Sequence, residues 1–186
     1  MSRFEITLAD GADDAQLRAR MAHDCMQGAI AISFRREPSY FLGCRLQGEA
    51  TQVVKCTDRA TGTIIGLGSR SQAPAWVDGE PRRIGYLADL RLAPEHRSGL
   101  LLARGYRFFR DLHRRDPVPF YTTVIYEGNV PALQTLTSGR AGLPVYSDWG
   151  RLLTPAIRLD RALAHARARN PPADSRARTA SRAGSD

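Results

Sequence analysis

Hydrophobic residues recur along the chain with two different periods, and the switches between them outline the elements. FEITLAD at 4–10 alternates apolar and polar positions, as a half-buried strand does. After Asp13 and Asp14, residues Leu17, Met21 and Cys25 recur every fourth position, which puts them on one face of a helix. GAIAISF is too short to assign. PSYFLGCRLQG opens at Pro38 and spaces Tyr40, Phe41, Cys44 and Leu46 in a near-helical way, so a second helix is expected there. TQVVKCTD and TIIGLGSRS read as strands joined by a turn at 58–62, and DGEPRR marks the next turn, before RIGYLADLRLAP; together these make an antiparallel meander. Beyond Pro94 the period becomes 3.6, with Leu102, Tyr106, Phe109 and Leu112 on one face and Arg104, Arg107, Asp111 and Arg114 on the other. PFYTTVIYE is a further strand and VPALQTLTS a shorter helix. GLPVYSDWGRLLTPAIRL reads as two strands around a turn at 147–150. The pattern predicts an α/β domain with about seven strands, and no internal repeat interrupts it.

The pattern stops near residue 160. From Arg161 onward the chain has no aromatic residue, almost no large aliphatic one and a Pro171-Pro172 break, too little apolar surface to offset the entropy of ordering. The expected organisation is a folded domain at 1–160 and an Arg/Ala-rich tail without fixed structure at 161–186. This division changes the meaning of the net charge of +8: residues 161–186 hold six Arg and two Asp, so half of the excess belongs to the tail. All but one of the 27 basic residues are Arg, a skew that coding bias explains as well as a phosphate surface does. The first ten residues carry no secretory signal and no apolar run approaches a membrane span, so a soluble cytoplasmic chain without a membrane partner is expected. Cys25, Cys44 and Cys56 form an odd set with no CxxC pair, which predicts reduced thiols and no metal site.

The stretch RIGYLADLRLAPEHRSGLLLARGYRFF combines a strand, a short turn holding Arg97 and Gly99, and an amphipathic helix. A helix start offers unpaired backbone N–H groups and the positive end of its dipole, which suits a phosphate or pyrophosphate; the plain alternative is a tight turn beside a solvated arginine.

This stretch and its surroundings resemble the GNAT superfamily, the acyl-CoA-dependent N-acyltransferases. Leu87, Leu90, Leu92 and Pro94 match the hydrophobic-x-x-Leu-x-Val-x-Pro strand, Arg97 opens the Arg-x-x-Gly-x-Gly/Ala turn, and Asn129-Val130-Pro131-Ala132 matches the later Asn-x-x-Ala. The sequence departs from the family at Leu100 and Leu102, where small residues are expected, with Gly99 displaced by one position. The resemblance implies a three-layer fold with a central mixed, mostly antiparallel sheet flanked by helices, and acetyl-CoA or another acyl-CoA as co-substrate without a metal. Backbone groups at Arg97, Ser98, Gly99, Leu100, Leu101 and Leu102 would hold the pyrophosphate, backbone near Leu90 and Leu92 the pantetheine arm, and Asn129 would help from the later helix.

For the acyl transfer itself, the resemblance implies a carboxylate on the fourth or fifth strand as proton acceptor, which selects Asp89 or Glu127. Strand alternation sets Tyr86 and Asp89 on opposite faces, and pairing of Asp89 with Arg91 or Arg83 is the plain alternative. The family's usual tyrosine acid falls on Leu136, leaving Tyr146 or Tyr126 as substitutes. Arg35, Arg36 and Tyr40 are candidates for binding a carboxylate-bearing acceptor, with a solvated arginine pair as the alternative. The expected activity is transfer of an acetyl or other acyl group to a primary amine of a small molecule or peptide. A non-catalytic CoA-binding or partner-binding module comes second, and nucleic-acid binding through the basic tail third. The oligomeric state, monomer or homodimer, stays open.

Overall fold

The computed structural model describes residues 2–24, 33–97, 100–140 and 142–155. It forms two units, Met1–Tyr146 and Ser147–Asp186. In the first, strands β1 (Phe4–Leu8), β2 (Ala50–Asp58), β3 (Thr63–Val77), β4 (Glu80–Leu92) and β5 (Tyr121–Thr122) lie in that order in one sheet. The first four are antiparallel neighbours and β5 runs parallel to β4, so the sheet is mixed and mostly antiparallel. Helices α1 (Asp14–His23) and α2 (Tyr40–Cys44) follow β1, α3 (Leu101–Arg115) connects β4 to β5, and α4 (Val130–Leu136) follows β5.

Local chemistry accounts for the meander. Asp78 and Gly79 both take positive φ, 53° and 79°, and join β3 to β4 by the two-residue turn whose twist matches the strands. The two faces of the sheet carry separate cores. Leu17 and Met21 of α1, with Tyr40 and Cys44 of α2, pack on Val53, Ile64 and Leu67. Cys56, Ile65 and Ala93 pack with Phe4, Ile6 and Leu101 on the other face. Asp14 locks the first layer: its carboxylate accepts from Ser39 Oγ (2.7 Å) and Tyr40 N (2.8 Å), which fixes the start of α2 against α1. The result is helices on both sides of a sheet, the three-layer arrangement expected.

Three expectations change. The described residues hold five strands rather than about seven, because 142–155 contains no strand; its apolar residues Val145, Trp149, Leu152 and Leu153 are exposed. The strand anticipated across 119–127 shortens to Tyr121–Thr122, since β5 meets β4 only at Gly85 and Tyr86 and then parts from it. Tyr86 and Asp89 do not point to opposite faces. The β3–β4 register runs from Ser69 opposite Ala88 to Leu67 opposite Arg91, so a bulge inserts a residue near 89, where Asp89 has φ 56°. Tyr86 lies opposite Ser71, and Ser69 Oγ donates to Asp89 (3.4 Å), so both side chains share the α1/α2 face.

Candidate functional site

Two features meet where β4 leaves β5. The first is the β4 edge itself: from 87 to 92 no β5 residue pairs with it, although the strand continues to Leu92. The second is the bulge at Asp89, placed midway along that edge.

Asp89 is the centre of a polar cluster. Its Oδ2 accepts from Arg36 Nη2 (2.6 Å), the Tyr40 hydroxyl (2.9 Å), Ser69 Oγ (3.4 Å) and Gln47 Nε2 (3.5 Å). The Arg36 and Asp89 side chains are only 13% and 10% exposed, and the guanidinium also lies over the Tyr40 ring at 5.1 Å. Burial lowers the Arg36 pKa, but Asp89 more than offsets this and the net shift is upward. Burial, followed by the Asp89 charge, pushes the Tyr40 phenol far up; the same two causes, in the same order, raise Tyr86. Both tyrosines therefore stay protonated donors. The residues expected to pair with Asp89 are occupied elsewhere, Arg83 with Asp116 (2.5 Å) and Arg91 with the Leu90 carbonyl (2.9 Å). Tyr40 is fully buried, with its hydroxyl committed to Asp89, which removes it from contact with an incoming acceptor. Arg35 is exposed, and Glu127 lies exposed in the turn before α4.

On the α3 face, Leu90, Leu92, Leu101, Leu102, Tyr106 and Phe109 line an apolar cleft beside the β4 edge. The Tyr106 hydroxyl lies 3.2 Å from that of Tyr146, which is 3.4 Å from Thr123 Oγ1, just past the end of β5. Burial and then the Tyr146 neighbour push the Tyr106 phenol strongly up. Tyr146 is thus brought beside the opening, whereas Tyr126 sits over Gly128 in the turn that leads to α4. Leu136, at the family's usual acid position, is buried core.

At the other end of the edge, Arg97 Nε donates to the Leu92 carbonyl (2.9 Å), so this arginine is anchored at the end of β4. Leu100, the N-cap of α3, is exposed and borders a depression with Phe4, Glu95, His96 and Arg104; Leu102 turns into the apolar cleft. Ser98 and Gly99 lie outside the described residues. Asn129 caps α4, its side chain accepting from Ala132 N (3.3 Å). Among the described residues no group of His, Cys, Asp and Glu could hold a metal ion, and no helix is long and apolar enough to cross a membrane.

Sequence reasoning missed Arg36 as the Asp89 partner, and with it Gln47, Ser69 and Tyr106. Arg36 and Asp89 are 53 residues apart, a separation that no local period reports. Tyr106 carried a helical-core signal, and only the contact with Tyr146 gives its hydroxyl a further part.

A mixed sheet that opens between β4 and β5, with a bulge at the opening and a helix following β4, is a recognisable architecture. No family model and no curated protein sequence matches this chain. Solved structures do. Glucosamine-6-phosphate N-acetyltransferase from Arabidopsis thaliana superposes with a TM-score of 0.60 at 11% identity, covering 84% of this chain and all (100%) of that one. Ribosomal-protein-alanine N-acetyltransferase from Brucella melitensis gives 0.59 at 14%, over 83% and 100% of the two chains. AAC(6')-Iy, in complex with the bisubstrate analogue CoA-S-monomethyl-acetylneamine, gives 0.60 at 11%, over 84% and 99%. The chain has the fold of the GNAT acetyltransferases.

Proposed function

We propose that this protein is an N-acyltransferase that moves an acetyl or other acyl group from acyl-CoA to a primary amine. The observation that carries the reading is the parting of β5 from β4 after Tyr86, with the Asp89 cluster on one side and the Tyr106–Tyr146 pair on the other. The residues fit the co-substrate. A strand edge without a partner pairs with an extended amide-bearing chain, and the Leu90 and Leu92 carbonyls, though they accept from Arg91 and Arg97, each keep a second lone pair. The first turn of α3 and the Arg97 guanidinium supply positive charge for a pyrophosphate. Leu100 and Leu102 are turned toward the Phe4 depression and the apolar cleft. When bound, acyl-CoA supplies the activated thioester.

The chain's own groups then handle two protons. An amine with a pKa near 10.4 is neutral in about one molecule in 10³ at pH 7, a penalty of roughly 4–5 kcal/mol. Asp89 accepts that proton through water at the bulge, while Arg36 and the Tyr40 hydroxyl hold its carboxylate in place. Glu127, in its exposed turn, is the alternative acceptor. Tyr146 donates to the departing sulfur, and Tyr106 orients its hydroxyl. Arg35, exposed near the start of α2, is the residue placed to meet a carboxylate on a small-molecule or peptide acceptor.

A second reading, a CoA-binding module without catalysis, draws on the tight engagement of Asp89 with Arg36 and on the breadth of the fold, which also includes a chain described as a transcriptional regulator from Bacillus halodurans (TM-score 0.60, 10% identity). Thermal shift with CoA and acetyl-CoA tests binding, and thiol release across an amine panel tests turnover. Stabilisation with thiol release supports the enzyme, and stabilisation without it on any amine favours the module. No stabilisation overturns both.

A further inference from the structure

Three glycines border the apolar cleft under α3. Gly66 and Gly68 on β3 form its floor, where a Cβ would come within 2.9 Å of Leu92 Cδ1 and 3.2 Å of Phe109 Cζ, so those side chains lie directly on the strand. Gly105 on α3 forms its roof, and a Cβ there would meet nothing within 4 Å. The sequence thus leaves space that an ordinary residue at 105 would occupy. The cleft has a volume of about 50 Å³ and is partly open to solvent. Lys55 borders it, but its ammonium is turned to the Asp13 carboxylate (2.6 and 2.7 Å). Leu90 and Leu92 belong both to the cleft and to the part of β4 that β5 has left, and Tyr106 lines the cleft next to Tyr146. The cleft therefore adjoins, through these shared residues, the place where acyl transfer is assigned.

We propose that this cleft receives the hydrocarbon part of an acyl group longer than acetyl, making butanoyl- or hexanoyl-CoA a better ligand than acetyl-CoA. The inference rests on the acyl-CoA reading above. An apolar, partly enclosed space next to a thioester favours methylenes over water, and each methylene removed from water tightens binding by about fourfold. Gly105 then acts as the specificity position, since a side chain there fills the cleft from above without touching the β4 edge.

The test is calorimetric titration of the full chain, without amine, with CoA, acetyl-CoA, butanoyl-CoA and hexanoyl-CoA. Affinity should rise by about fourfold per methylene from acetyl onward until the space is filled. Gly105→Leu should abolish that gain while leaving CoA and acetyl-CoA affinities within about twofold, and Gly105→Ala should reduce it. The alanine variant carries the test if the leucine variant does not fold, because alanine is the better helix former than glycine. Equal affinity for all acyl lengths in the unaltered protein, or an equal loss for all four ligands in Gly105→Leu, overturns the inference while leaving the acyl-CoA reading in place. Failure of CoA itself to bind overturns both.

Discussion

Replacing Asp89 with asparagine isolates the charge at the centre of the candidate site. Asp89 has φ 56°, a conformation asparagine tolerates at least as well, so the backbone cost is small. What is lost is the anion facing Arg36 at 2.6 Å, in a pair whose side chains are 13% and 10% exposed. Removing one partner of a buried pair strands the other and costs about 3–5 kcal/mol. The remaining exposure of Arg36, and the carbonyl oxygen that the amide retains, place the expected loss near the lower end, about 3 kcal/mol. In a domain of this size that lowers the Tm by roughly 6–12 °C. The decisive measurement is a double-mutant cycle with Arg36→Met, read by urea and thermal unfolding at pH 7. Methionine keeps much of the apolar stem and removes the stranded charge, so the double variant should recover about 2 kcal/mol or more relative to the sum of the singles. A loss below about 1 kcal/mol for Asp89→Asn, or additivity within about 0.5 kcal/mol, would refute the view that this pair organises the cluster.

Gly85→Ala places a methyl group in the Tyr121 ring, which packs directly on the strand there; the variant should lose about 2–3 kcal/mol by unfolding and weaken CoA binding, because this contact fixes where β5 leaves β4. Tyr146→Phe leaves the buried Tyr106 hydroxyl without that partner and should cost about 1 kcal/mol. If Tyr146 is the acid, its loss slows turnover by at least about 10²-fold with little change in acyl-CoA KM, as steady-state kinetics would show. Acid stability tests Asp13: burial raises its carboxyl, but the Lys55 ammonium and the Asp10 N–H outweigh this and hold it below its ordinary value. A depressed folded pKa means that its contribution is complete above the unfolded value near pH 4 and is lost as pH falls through the folded one. Asp13→Asn should therefore destabilise at pH 7 and progressively less toward pH 3, and a constant difference across that range would count against the assignment.

The elements legible in advance are those whose cause is local. The four-residue spacing of Leu17 and Met21 placed α1, and the 3.6 period through Tyr106 and Leu112 placed α3, because one stripe of each helix must be buried. The Asp78-Gly79 pair placed the β3–β4 turn, since few residue pairs accept two positive φ angles. The strand-turn-helix order from β4 to α3 was equally open to view.

Tertiary structure decided the rest. A bulge shifts strand parity by one residue, so simple alternation misplaced Asp89 relative to Tyr86. The run at 119–127 is rich in β-forming residues from Phe120 to Tyr126, yet pairs at only two, because propensity describes a single segment and pairing needs a neighbour at the right distance. Arg36 and Asp89 meet across 53 residues, and Tyr106 and Tyr146 across 40, through packing that no period encodes. By itself the sequence determined the elements with a local cause, the amphipathic helices α1 and α3 and the β3–β4 turn. The side chains that face each other across the β4 opening depend on long-range packing, and only the folded sheet shows them.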